Sequence, residues 1–271
     1  MSIKFTLDFY SIYDTIVPNM KHRNLLEKGI EVLKVLKDSG DFLSFNEIEK
    51  KLNIPRTTLY RILKTLIDNK FVIYENKKYK LGYGFLTFAK KILAEIPLRE
   101  IANPYLKKIC EKTKETVELI IPDKDEILYI DKIESPESIK LVAQIGSRYK
   151  TLHASAAGKI YLAYDNDIFE KFLKNKKLEK ITSRTITEKE KLKKEIEKIR
   201  KRGWAYDIGE ARIDIVRIAS PVFNYDGKLT GIIGIAGPSY RINEKKIKEF
   251  GEFLKNICNE ISEKIGYKKE G

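Results

Sequence analysis

The stretch from Leu43 to Leu81, LSFNEIEKKLNIPRTTLYRILKTLIDNKFVIYENKKYKL, constrains the fold more than any other part of the chain, because two helical runs give way to strand spacing within 39 residues. Ser44 stands three residues before Glu47, so its hydroxyl can cap an early amide while the carboxylate reaches back. Phe45, Ile48 and Leu52 then recur at helical spacing. Asn53-Ile54 breaks the pattern, and Pro55 opens a second helix at a position where its missing amide costs nothing. In that helix Leu59, Ile62, Leu63, Leu66 and Ile67 form the buried stripe. After Asp68-Asn69-Lys70 the spacing becomes that of strands: FVIY, a turn at Glu75-Asn76-Lys77, then KYKL. Helix, tight turn, helix and hairpin is the order of a winged helix-turn-helix. A small helical bundle with a solvated basic surface is the plainer alternative.

The outward side of the second helix favours the winged reading. Near its start it offers Arg56, Thr57, Thr58, Tyr60, Arg61 and Lys64, side chains able to bond phosphates and base edges when a helix N-terminus enters a major groove. Arg56 and Thr57 are expected nearest the bases and Lys64 on the backbone. Lys77, Lys78 and Lys80 at the hairpin would clamp phosphate. The net charge of +14 agrees with a polyanionic partner, but the excess is spread along the whole chain, so motif geometry carries the inference.

The 271 residues have room for a small domain and a larger one. Residues 1–20 form an extension of unassigned role, either an added arm or the product of a start placed upstream of Met20. Residues 21–83 make the winged unit, whose first helix is Asn24–Lys37, and 84–97 a linker helix that could also be a dimer contact. From 98 to 271 helices alternate with strand-like runs: VELIIP, EILYIDKI, SIKLVAQI, then Trp204–Ile208, Ile215–Phe223 and Lys228–Ala236. The expected class is α+β in two domains. Cys110 and Cys258 fall in helical patterns and make no disulfide framework, which suits a reducing, cytoplasmic setting. No apolar run is long enough for a membrane span, and the first residues lack the marks of a signal peptide.

From about Leu25 to Gly266 the chain resembles the IclR-type transcriptional regulators. The likeness rests on LEKGIEVLKVL, IPRTTLYRILKTLIDNKFV, LREIANPYLKKI, ETVEL, LHASAAGKIYLA, RGWAYDIGE, IASPVFNYDG and GIAGPSYRI, in the family's order. The resemblance implies a GAF-like mixed α/β effector domain behind the winged helix. It also implies homodimers or homotetramers on inverted-repeat operators in double-stranded DNA, and a small organic acid that changes DNA affinity. Its effector contacts would be backbone amides at Ala156 and Ala157, with Asp207 retained from the family pattern. Arg217 stands where that pattern has cysteine, Gly234 and Ala236 where it has serines, and Asp214 where it has glycine. Two readings of Arg217 stay open: a bidentate clamp on a larger or more charged anion, or an internal pair with Asp207 that closes the pocket.

Enzymatic motifs are weak. Gly158-Lys159 lacks the rest of a phosphate loop. Gly231, Gly234 and Gly237 lie along a strand, not in a strand-to-helix turn. His153 near Ser155 has no identifiable orienting carboxylate, and the histidines and cysteines lack metal-ligand spacing. No catalytic site and no cofactor is expected. The reading from another class is a sensor or enzyme whose winged helix serves protein contacts.

Overall fold

A computed structural model describes residues 24–141, 144–175 and 177–268. The extension at residues 1–20 therefore lies outside the described residues. The chain divides into two units between Ile92 and Leu93.

In the first unit, Asn24 caps α1 (Leu25–Asp38) through a reciprocal pair: its Oδ1 accepts from Glu27 N, and Glu27 Oε2 accepts from Asn24 N. A short β1 (Leu43–Ser44) leads into α2 (Phe45–Leu52), where Ser44 and Glu47 form the same kind of capping box. Asn53 ends α2 in the left-handed conformation, φ 50°, and turns the chain toward α3 (Arg56–Asp68). Pro55 is the N-cap of α3, one position earlier than the sequence pattern suggested, because its ψ of 136° is extended. Leu59, Ile62 and Leu63 pack with Val32, Leu36 and Ile48 in one core. The wing is β2 (Val72–Glu75) and β3 (Lys78–Leu81), joined through Asn76 and Lys77, both at positive φ. Two such residues in succession match the right-handed strand twist. Leu43 and Ser44 pair with Tyr79 and Lys78, so the expected two-stranded hairpin is a three-stranded sheet of order β1–β3–β2. α4 (Gly84–Ala94) follows; Phe85 and Phe88 stack on Phe71.

The second unit is built on a six-stranded antiparallel sheet. It comprises α5 (Pro97–Thr113), β4 (Thr116–Asp123), β5 (Glu126–Ile133) and β6 (Arg148–Tyr149). After these come α6 (Ala156–Tyr164), α7 (Asn166–Asn175) and α8 (Lys189–Arg202). The chain closes with β7 (Ala205–Ile208), β8 (Ile215–Phe223), β9 (Leu229–Pro238) and α9 (Glu244–Lys264). Strand order is β6–β5–β4–β9–β8–β7. Of the strand expected at SIKLVAQI, residues 142 and 143 lie outside the described residues and the others form no strand; the edge strand is Arg148–Tyr149. Alternation divides the sheet into two faces. Val117, Leu119, Ile218, Ile233 and Ile235 face α5 and α9. Ile120, Tyr129, Ala205, Ala219 and Ile232 face α6 and α8. α6 approaches the preceding 3₁₀ turn so closely that a Cβ at Gly158 would lie 2.2 Å from Leu152 O. No helix of the described residues is long and apolar enough to cross a membrane.

Candidate nucleic-acid interface and buried polar site

The side of α3 away from its core carries the residues singled out in the sequence. Thr57, Tyr60, Arg61 and Lys64 are exposed and spaced i, i+3, i+4, i+7, one continuous stripe; Thr58, half-buried, flanks it. Phe45, Arg56, Thr57, Tyr60 and Arg61 line one open concavity. No side chain caps the helix N-terminus. Its first amides are thus left for an external acceptor, and the helix dipole favours an anion there. Arg56 is not loose: it reaches Glu49 Oε2 at 2.7 Å and lies over the Phe45 ring at 4.9 Å. Arg56 is exposed and Glu49 half-buried, so solvent screening weakens this pair. Lys77 and Lys78 are exposed at the wing turn. Lys80 departs from them; it is half-buried with its ammonium 4.3 Å from the Phe42 ring centre.

In the second unit, register brings the other candidates together. Arg217 on β8 pairs with Ala236 on β9 and with Asp207 on β7, and Gly234 lies two residues along β9 from Ala236. Asp207 is fully buried. Its Oδ2 accepts the Ala156 amide at 3.1 Å, so one of the two expected anion-binding amides is already occupied. Among the described residues no partner is recorded for the amide of Ala157. Arg217 Nη1 stands 3.9 Å from Asp207 Oδ1, too far for a hydrogen bond, and both atoms are buried without one. Burial works against the charge on Arg217, but Asp207 and Glu118 outweigh it and hold the guanidinium protonated. Burial likewise pushes the Asp207 carboxyl up, against Arg217 and Lys159.

Sequence reasoning passed over Glu118. This residue lies on β4 directly opposite Gly234, on the face that bears Arg217 and Asp207, and is 2% exposed. No hydrogen bond or ion pair reaches its carboxylate among the described residues. Burial pushes its pKa up to about 7, against the opposing pull of Arg217. Tyr129 on β5 is buried beside it. The available signal was a single acid within the apolar run VELII of a central strand. Lys159 has a structural role: it is fully buried, 2.5 Å from Glu210 Oε1, and also donates to Tyr206 O at 3.3 Å. His153 Nε2 meets Glu179 O at 2.9 Å, in keeping with a loop-shaping residue.

Comparison with known proteins follows the same division. Residues 25–75 match the IclR helix-turn-helix domain, and residues 90–263 match the bacterial transcriptional regulator IclR C-terminal family. The chain is 30% identical over 227 residues to the HTH-type transcriptional regulator KipR of Bacillus subtilis, covering 83% of this chain and 90% of that one. It is similar to the crystal structure of the Thermotoga maritima IclR, with TM-score 0.77, 35% identity, and 91% and 100% of the two chains covered. It shares its fold with an IclR homolog of Microbacterium hydrocarbonoxydans complexed with 4-hydroxybenzoate, at TM-score 0.78, 18% identity and 89% and 99% coverage.

Proposed function

The chain belongs to the IclR family of DNA-binding transcriptional regulators, and from that premise we propose that it acts in the cytoplasm as a homodimer or homotetramer on an inverted-repeat operator, with affinity set by a small organic effector. The observation that carries this is the α3 N-terminus, uncapped and flanked by the exposed stripe Thr57, Tyr60, Arg61 and Lys64. In a groove, Thr57 and Arg56 would meet base edges, Arg56 exchanging Glu49 for DNA. Lys64, Lys77 and Lys78 would meet phosphate. Lys80, on the Phe42 ring, would add charge near the backbone more than a direct contact.

Effector control draws support from the buried polar site, where Arg217 Nη1 and Asp207 Oδ1 face each other at 3.9 Å without hydrogen bonds and can take an outside partner. The IclR homolog of the same fold that is complexed with 4-hydroxybenzoate also supports it. Dimerisation draws support from α4, which has no buried residue and exposes Leu86, Phe88 and Ile92. Two recognition helices must sit about 34 Å apart on one DNA face, so a shift in α4 would change fit to the operator. Repression and activation share this binding physics.

The test is selection from a random duplex pool by the purified protein at ~0.15 M salt, where non-specific phosphate binding is already weakened. An enriched inverted repeat supports the reading. Sequence-blind binding, with and without candidate effectors, would instead favour a winged helix used for protein contacts.

A further inference from the structure

The buried site in the second unit has a charge and hydrogen-bond inventory that does not suit a simple acid. Its members are Glu118 on β4, Asp207 on β7 and Arg217 on β8, with Tyr129 alongside; Lys159 and Glu210 neutralise each other. Lys132, across from Glu118 on β5, is engaged by Glu134 at 2.8 Å, so the two carboxylates share one guanidinium. Among the described residues no donor reaches Glu118, Asp207 Oδ1 has no hydrogen bond, and Arg217 Nη1 has none either. Such groups are costly to bury unless paired. A plain carboxylate would satisfy Arg217 but would add a third negative charge and no donor for Glu118. Gly234 lies against the Glu118 carboxylate without crowding it: a Cβ built there would be 3.5 Å from Glu118 Oε2, ordinary contact.

We propose that the effector is a zwitterionic amino carboxylate, its ammonium group held by Glu118 and its carboxylate by Arg217. This rests on the reading of the second unit as an effector domain and narrows it to a ligand class. The ammonium supplies the positive charge the cluster lacks and the donor that Glu118 lacks. The ligand carboxylate takes the free Nη1 of Arg217, and the open amide of Ala157 at the α6 N-terminus lies on the same face of the sheet.

Isothermal titration calorimetry on the full chain at pH 7.5 would compare matched pairs: glutamate with glutarate, γ-aminobutyrate with butyrate, β-alanine with propionate. The expected result is binding by at least one amino acid, with its des-amino partner at least tenfold weaker. Protons should be released on binding, seen as heat that varies with the buffer's ionisation enthalpy, as the ammonium draws the Glu118 proton off. Glu118→Gln should abolish the preference. Should that variant fold poorly, Gly234→Ser is the second probe, because its hydroxyl would offer Glu118 an internal donor and weaken amino-acid binding severalfold. A des-amino acid that binds as tightly as its partner overturns the inference, as does binding by neither series. The reading as a regulator fails on different grounds: if no operator is selected while amino acids bind through Glu118, the ligand assignment stands without it.

Discussion

Glu118 makes the stability of the second unit depend on pH in an unusual direction for a carboxylate. Its ordinary value is 4.5 and burial raises it to about 7, so the folded protein holds this proton more tightly than the unfolded chain. The associated stability is present below about pH 4.5 and is lost as pH rises through about 7. Two and a half pH units correspond to about 3 kcal/mol. The groups that face Glu118 set this value together: Arg217 and Lys132 lower it, and Asp207 raises it. Urea unfolding of wild type and Glu118→Gln should therefore give similar stabilities near pH 5. Above pH 8 the variant should be the more stable, by up to that amount; an unchanged difference across the range would contradict a buried, unpaired carboxylate. In the proposed DNA complex, single residues divide by role. Lys64→Ala should weaken all sequences alike and reduce the slope of log affinity against log salt by about one unit. Thr57→Ala should instead relax preference at one base position, and equal relaxation by both substitutions would refute the division.

Among the elements, the winged helix was readable because its determinants are local. The Ser44–Glu47 box, the Asn53 turn and the Asn76-Lys77 hairpin each lie within a few residues of what they organise. Strand β1 escaped notice because it has only two residues and exists through pairing with β3. The six-stranded sheet was visible as strands but not as an order: nothing in the run VELII says that Glu118 will lie opposite Gly234, 116 residues later. Arg217 and Asp207 could be named from resemblance, yet the occupation of the Ala156 amide by Asp207 required the fold. α6 supplies a prediction of its own. Gly158→Ala would drive a methyl into Leu152 O, backbone that cannot rotate away, and should cost roughly 1–3 kcal/mol or more. Thermal unfolding of the second unit should fall accordingly, while Gly146→Ala, with open space around its Cβ site but φ of 87°, should lose less.

At the scale of the molecule, α4 presents a run of exposed apolar side chains with no cover among the described residues. Leu86, Phe88 and Ile92 on α4 are each more than half exposed. With the proposed dimer contact on α4, replacing Leu86 and Ile92 by glutamate should yield a monomer in sedimentation experiments. Affinity for an inverted repeat should fall steeply while affinity for a single half-site is retained; an undisturbed oligomer would place the contact elsewhere.

The seam between β4 and β9 has a consequence for how the protein is made. β4 leaves the ribosome early, but its partner residues Ile232–Ala236 are synthesised more than a hundred residues later, and β9 inserts between β4 and β8. Until then β4 has an open edge, and Glu118 on one side of the seam has no relation to Arg217 on the other. Contacts so far apart in the chain slow folding. A nascent chain could therefore complete its winged helix, and engage DNA through it, well before it possesses any means of sensing a ligand.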